Sequence, residues 1–442
     1  MIRRILVANR GEIALRIVRA CKDLGIESVV VYSEADRDTL AVRHADRSVC
    51  IGPAPSSESY LNVRSILSAA ILTRCDALHP GVGFLSESAS FAKAVEEAGL
   101  IFIGPRPETI ELLGNKVQAR ISAERAGLPV TPGSDRLDDL VSAKKWASRL
   151  GYPVILKASA GGGGRGMRII HKETELESNF LLAKKEALLF FGDDSMYMEK
   201  FLQNPRHVEV QLLGDGNGNV LHLGERDCSV QRNHQKLVEE TPSPILDNTV
   251  REAMTGASAT LFQNLAYRGA GTVEFLIEGG AYYFMEVNAR LQVEHPISEA
   301  VSGVDLVVEQ IRIASKKGIS RKQNQVVLRG YSLECRINGL GAGRIARFDL
   351  PSGPHVRTDT FLASGMTLSP YYDSLLAKII VHAPSRQEGI DRMLRALDEV
   401  VIEGISVNVE EQKMIIGSPS FRSGRFGTDL YETLCGKEMR HG

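Results

Sequence analysis

Residues 286–296 read EVNARLQVEHP. Glu286, Asn288, Arg290, Gln292 and Glu294 alternate with Val287, Ala289, Leu291 and Val293. Such alternation predicts an extended strand with one apolar and one polar face. The polar face would carry two carboxylates, two amides and a guanidinium in one row. Just upstream, GTVEFLIEGGAYYFMEVN has Gly279 and Gly280 at a turn, so residues 272–277 and 282–288 should form a hairpin. Two registers are open. A two-residue loop puts Glu286 on the face of Val273, Phe275 and Ile277. A three-residue loop or a bulge puts Glu274 opposite Glu286 instead. Val273, Phe275 and Ile277 then share the apolar face with Tyr283, Met285 and Val287. The second register satisfies the hydrophobic pattern and is the expectation adopted. It gathers Glu274, Glu286 and Asn288, oxygen ligands that suit Mg²⁺ or Mn²⁺. Without a cation the two carboxylates would repel each other. Farther along, Arg290 can hold an oxyanion, and Glu294 is placed to act as a base. A solvated hairpin face explains Glu278 well but the unbroken polar row poorly.

A second stretch, ILKASAGGGGRGMRII, places Lys157 on a strand, then a loop over residues 161–166, then another strand. Glycine lets backbone N–H groups crowd against phosphate oxygens. Gly166 is followed by Met167 and Arg168, so GxxxxGK[ST] is absent and this is no Walker A loop. A glycine-rich hairpin closing over a nucleotide is favoured over an unoccupied hairpin tip, because Lys157 and Arg165 flank it.

These groups need a scaffold. Residues 1–112 alternate short apolar strands (RILVAN, SVVVYS, CDALHP, LIFIGP) with helical patterns at GEIALRIVRACKDLG, near residues 61–72 and at SFAKAVEEAG. That order predicts a parallel sheet wrapped by helices. Only Gly11 follows the first strand, so the GxGxxG of a dinucleotide site is missing and a scaffold role is expected. Residues 115–128 read as a connecting helix. Residues 130–202 read as a compact unit of two helices and three strands around the glycine run. Residues 203–330 alternate strands with one helix. Residues 331–442 begin with the strand YSLECRI and end in a helix-rich tail.

The 442 residues call for two to four domains. Charged residues make up 24% and leave a formal net charge of −1, which argues against a general nucleic-acid or membrane-surface binder. No apolar run approaches the roughly 20 residues that span a bilayer. The N-terminus has no cleavable signal layout. The six cysteines form no CxxC pair, so a reducing, cytoplasmic setting is expected.

Lys116, Lys157, GGGGRGM, MEKFL, HVEVQ, ERDCSVQRNHQKLVEE, GAGTVEF, EVNARLQVEHP and ECRIN occur in the order seen in biotin carboxylase, an ATP-grasp enzyme, and the resemblance spans roughly residues 1–434. It implies an α/β and α+β multidomain chain with an ATP-grasp fold. The parts would be an N-terminal Rossmann-like domain (1–112), an ATP-grasp domain (113–330) with a mobile glycine-rich lid (130–202), and a C-terminal α+β domain (331–442). It implies activation of bicarbonate by ATP as carboxyphosphate and transfer of the CO₂ unit to a biotin nitrogen, as in acetyl-CoA carboxylase. By resemblance Lys116, Lys157, Glu199, Leu202, His207, Gln231 and His234 contact the nucleotide, and Gly162, Gly163 and Gly164 lie in the lid over the phosphates. Glu274, Glu286 and Asn288 hold the metals, two Mg²⁺ or Mn²⁺ ions. Lys236, Arg290, Gln292 and Val293 hold bicarbonate, Val293 through its backbone. Glu294 deprotonates bicarbonate or accepts the biotin proton, and Arg336 stabilises charge on the biotin ureido oxygen.

Two features depart from the family pattern. Val82 stands in HPGVGFLSE where the family usually carries Tyr, and the segment after Asn338 is shorter by about seven residues. Both fall on the acceptor side. Lineage drift within the same chemistry is the reading adopted. The alternatives are a biotin-independent ATP-grasp carboxylase or ligase with a small-molecule acceptor, and a non-catalytic nucleotide-binding subunit. The chain shows no biotinyl-lysine segment of the AMKM type and no carboxyltransferase domain. It is therefore expected to be a separate subunit, pairing as a homodimer and meeting a biotin carboxyl carrier protein and a carboxyltransferase subunit.

Overall fold

The computed structural model describes residues 2–159 and 166–438. The N-terminal strands Arg4–Val7, Glu27–Ser33, Arg47–Gly52, Ala77–His79 and Ile101–Phe102 form an all-parallel sheet. In space the third strand is followed by the second, first, fourth and fifth. Strand Arg47–Gly52 was not foreseen. It lies at the sheet edge with five of its six residues half-buried or exposed, so its sequence lacks an apolar run. Two helices, Val63–Leu72 and Ala89–Glu97, begin where a side chain satisfies a free N–H group: Asn62 accepts from Ser65 N and Ser88 from Phe91 N. Asn115 caps the connecting helix Lys116–Arg125 twice, accepting from Val117 N and Gln118 N.

Within residues 130–202 the structure has the two helices and three strands read from the sequence. Strand Val154–Ala158 lies between Met167–Ile170 and Met196–Lys200, all antiparallel, and helices Leu140–Leu150 and Leu176–Phe191 back it. It has its own core, including Val154, Leu156, Phe180, Met196 and Met198. Gly162, Gly163 and Gly164 lie outside the described residues.

An eight-stranded antiparallel sheet forms the floor of the molecule. Its order in space is Ala281–Asn288, Arg268–Glu278, Arg206–Asp215, Val220–Arg232, Gln235–Thr241, Tyr331–Asn338, Leu375–Ala383 and Val356–Thr360. Val238 pairs with Cys335 and Glu239 with Glu334, so the sheet runs unbroken across position 330. One apolar core packs the N-terminal sheet (Leu6, Leu78, Phe102) against Val208, Val210 and Phe275 of this floor. Residues 203–330 hold three helices rather than one: Asn248–Asn264, His295–Ser302 and Leu306–Ala314. The two extra ones are short and buried on nearly all sides, polar residues such as Ser298, Glu299, Glu309 and Gln310 included, so no one-sided apolar period marks them. No helix among the described residues is long and apolar enough to cross a membrane.

Candidate active site

The hairpin turns at Gly279 and Gly280, both with positive φ (60° and 82°), which glycine adopts without strain. The loop has two residues, and a bulge beyond it shifts the register between Glu274 and Phe275. Glu274 therefore faces Glu286, and Thr272 faces Asn288. The adopted register holds at the polar end. On the apolar face it needs correction. Val273 pairs with Val287, but Phe275 pairs with Phe284, and Ile277 with Tyr282. Met285 is the extra residue of the bulge and is 42% exposed. A bulge inverts side-chain alternation on one strand only, and that displaces Tyr283 and Met285 from the core.

The expected strand over 286–296 also ends early, at Asn288. Residues 289–294 leave the sheet, and a helix starts at His295 with Pro296 in its first turn. The polar side chains therefore converge instead of forming a row. Arg290 donates to Glu87 Oε2 (2.8 Å), Gln292 Oε1 (2.9 Å) and Asn288 Oδ1 (3.0 Å). Gln292 Nε2 reaches Glu274 Oε1 at 3.0 Å and Thr272 Oγ1 at 3.2 Å.

Lys236 is the centre of this convergence. Its ammonium donates to Glu294 Oε1 (2.7 Å), Glu209 Oε2 (2.9 Å) and Glu274 Oε1 (3.1 Å). Arg226, fully buried, takes the other oxygen of Glu209 at 2.6 Å. Arg336 donates to Glu294 Oε2 (3.0 Å) and Glu239 Oε1 (2.7 Å). Burial works against the charge of Glu294, yet Lys236, Arg336 and Arg226 together hold its carboxyl well below the usual range. Glu274 is likewise held low: burial opposes its charge, and Lys236 and His207 overcome it. Glu286 shifts the other way, raised by its own burial and by the charge of Glu274 opposite. Of Glu274, Glu286 and Glu294 it is thus the one the protein leaves least compensated, with Lys116 the main cation bearing on it. A divalent cation between Glu274 and Glu286 would supply what is missing, and the amide of Asn288 lies on the same face. His207, Glu209 and Glu274 also bring ligand atoms within 4.8 Å of one another. Arg226 and Lys236 already neutralise Glu209, however, so that group needs no metal.

The residues expected at the nucleotide lie on two parts of the chain, the 130–202 unit and the floor. On the 130–202 unit, Lys157 is ion-paired with Glu199, which also accepts from Arg120 at 2.8 Å. On the floor, His207 Nε2 lies 2.9 Å from Glu274 Oε2 and its Nδ1 lies 2.7 Å from Gln231 Nε2. Burial lowers the basicity of Lys116, and Glu286, Lys157 and Glu199 act on its charge, which puts it between the two parts. Leu202 is half-buried just past strand Met196–Lys200. His234 stands exposed with Asn233 in the two-residue turn between Val220–Arg232 and Gln235–Thr241, both at positive φ (62° and 50°).

Several participants were not anticipated. Glu209 carried a signal, since His207, Glu209 and Gln211 put three polar residues on one face of a buried strand. Glu239 sits in an acidic pair and Glu87 in a loop that gives no local hint. At the two departures, the Val82 carbonyl accepts from Asn9 Nδ2 at 2.8 Å. The short segment after Asn338 is tied down by Gly339 N to Ser374 O and Leu340 N to Ser406 O, each 2.8 Å.

Three family models match the chain: biotin carboxylase N-terminal domain over residues 1–110, carbamoyl-phosphate synthase L chain ATP binding domain over 115–322, and biotin carboxylase C-terminal domain over 339–433. A biotin carboxylase of Allochromatium vinosum is 49% identical over 445 residues, covering 99% of this chain and 99% of that protein. The crystal structure of a Campylobacter jejuni biotin carboxylase–β,γ-ATP complex superposes with a TM-score of 0.94 at 44% identity, covering 98% of this chain and 99% of that one. The biotin carboxylase domain dimer of Hydrogenobacter thermophilus 2-oxoglutarate carboxylase, in complex with MgADP, ADP and bicarbonate, gives 0.92 at 44% identity, covering 98% of each chain.

Proposed function

This chain belongs to the biotin carboxylase family, and from that premise we propose how its residues carry out ATP-dependent carboxylation of biotin. ATP lies in the cleft between the 130–202 unit and the floor. Lys116 and Lys157 meet its phosphates. Glu199, Leu202, His207, Gln231 and His234 complete the nucleotide contacts. Glu274, Glu286 and Asn288 would hold the metals. Divalent ions bound there would neutralise charge on the phosphates during transfer.

Bicarbonate sits against Lys236, Arg290, Gln292 and the backbone N–H of Val293. A guanidinium and an ammonium from two different segments match a planar oxyanion. Glu294 takes the bicarbonate proton. The freed oxygen attacks the γ-phosphorus, the new O–P bond replaces the bond to ADP, and carboxyphosphate results. Lys236 stabilises the charge that builds up on this side. The C–O bond of carboxyphosphate then breaks, the departing phosphate takes the proton from the biotin nitrogen, and that nitrogen bonds the CO₂ carbon while Arg336 stabilises negative charge on the ureido oxygen. The 130–202 unit, with its separate core, serves as the lid that keeps water from the labile intermediate.

The observation that carries this reading is Glu294 lying between Lys236 and Arg336, at 2.7 and 3.0 Å. Those contacts support Glu294 as the base that takes the bicarbonate proton, next to the arginine proposed for the biotin step. The partners proposed are a second copy of the chain, a biotin carboxyl carrier protein and a carboxyltransferase subunit. The dimer of the Hydrogenobacter thermophilus domain supports the first. The scattered cysteines support a cytoplasmic setting.

The test is purified protein with ATP, Mg²⁺ and bicarbonate, with and without free biotin. ATP hydrolysis should require bicarbonate and rise when biotin is added. Arg290→Ala should raise the KM for bicarbonate at least about tenfold, the usual scale for losing a charged hydrogen bond, and leave the KM for ATP nearly unchanged. Bicarbonate-dependent turnover indifferent to biotin would replace biotin with another acceptor.

A further inference from the structure

Strand Leu375–Ala383 reads LLAKIIVHA, and its lysine, Lys378, is among the largest fully buried side chains of the protein. A buried ammonium survives only when its charge is paired and its N–H groups are used. Lys378 Nζ lies 3.1 Å from Glu12 Oε1 and 3.8 Å from Asp359 Oδ2. Its shortest contact, 2.7 Å, goes to neither acid but to the backbone carbonyl of Val293.

That carbonyl belongs to the peptide joining Val293 to Glu294. In a planar trans peptide the N–H points opposite the C=O, so fixing one fixes the other. Lys378 thus sets the direction of the Glu294 N–H and of the Cα that carries the Glu294 carboxylate. The preceding peptide is held in the same way. The Gln292 carbonyl accepts from His295 Nδ1 at 2.8 Å and from His295 N at 3.3 Å. This turns the Val293 N–H away from the helix that His295 begins. Two successive peptides are gripped by their oxygens from behind.

We propose that Lys378 is a positioning residue for the carboxylation reaction. By gripping the Val293 carbonyl it aims the segment that binds the anion and bears the base, without touching substrate. Glu12, on the first helix, and Asp359 serve to keep the ammonium charged in the interior. The inference rests on the assignment of bicarbonate to Arg290, Gln292 and Val293.

Lys378→Met alone would leave Glu12 without its cation, whereas Asp359 keeps Arg357 at 2.7 Å, so it is made together with Glu12→Gln. Glu12→Gln alone is the control, and Lys378→Arg keeps the charge but moves the donor. Each is checked for cooperative melting and then assayed for bicarbonate-dependent ATP hydrolysis. Lys378→Arg carries the test if the double variant fails to melt cooperatively. Glu12→Gln should keep the bicarbonate KM within about twofold. The double variant and Lys378→Arg should raise it about tenfold or more, the scale of one charged hydrogen bond, with the ATP KM nearly constant. An unchanged bicarbonate KM in both Lys378 variants overturns the proposal, and so does an equal rise in both KM values, which marks general damage. Arg290→Ala run in parallel separates the two levels. If it too leaves the bicarbonate KM unchanged, the anion assignment has failed. If it raises that KM while the Lys378 variants do not, only the role of Lys378 falls.

Discussion

Glu286→Gln swaps a carboxylate for an amide of the same shape, and its consequences should differ in sign with and without metal. Glu286 faces Glu274 across antiparallel strands, a geometry that sets their Cβ atoms about 5 Å apart. Two charges at that distance repel by about 3 kcal/mol at an effective dielectric near 20. Glu286 is only half-buried and Lys116 offsets part of its charge, so about 1 kcal/mol is a fair net figure after screening. In EDTA the variant should therefore melt higher than the parent, by about 2 °C for a domain of this size. With Mg²⁺ and nucleotide at about 100 times the dissociation constant, the parent gains about 2.7 kcal/mol from binding. Losing a charged ligand should weaken metal-dependent binding about a hundredfold, the upper end of what even supporting contacts cost. The variant would then gain only about 0.4 kcal/mol under the same conditions. The order of melting temperatures should invert between EDTA and Mg²⁺–ATP, and ATP turnover should vanish. Scanning fluorimetry and a phosphate-release assay read both. A variant that melts below the parent in EDTA would mean that the protein already satisfies Glu286. Normal turnover would remove the metal assignment altogether.

Two further outcomes follow from the charge network. Lys236→Met strips Glu209, Glu274 and Glu294 of their shared cation. It should cost about 3–5 kcal/mol in denaturant titrations, the usual result of leaving buried charge unpaired, and abolish turnover; a stable, active variant would refute the arrangement. Glu239 is buried, and although Arg336 opposes the effect, its carboxyl is raised from 4.5 to about 7. Between those two pH values the folded chain holds a proton at Glu239 that the unfolded chain has lost, so stability falls as pH rises through this window. Glu239→Gln should flatten that slope in pH-dependent denaturation, and an unchanged slope would place the titration elsewhere.

The hairpin register could be read from the sequence because one register buries Val273 with Val287 and the other does not. The bulge was legible as a need, but not the residue that absorbs it, since Met285 is as apolar as its neighbours. The polar alternation through residues 286–296 was real, and its reading as one strand failed because a period of two persists into an irregular segment until Pro296 starts a helix. Edge strand Arg47–Gly52 escaped for the opposite reason: its outer side is wet, so no apolar pattern marks it. Contacts such as Glu87 with Arg290, 203 residues apart, leave no local trace. Lys378 did leave one, a single lysine amid aliphatics, legible as soon as the strand is known to be buried on both faces.

The unbroken floor has a consequence for how this molecule can be divided. Strand Gln235–Thr241 carries Lys236, and its neighbour Tyr331–Asn338 carries Arg336. The spacing of the two cations is thus a ladder distance that loop motion cannot alter. A fragment cut at residue 330 would bare one whole margin of Gln235–Thr241, with amides and carbonyls ready to recruit any passing strand. Such a fragment would be a seed for precipitation rather than a smaller ATPase, and the tail beyond the cut supplies the cations that hold Glu294 and the Val293 carbonyl.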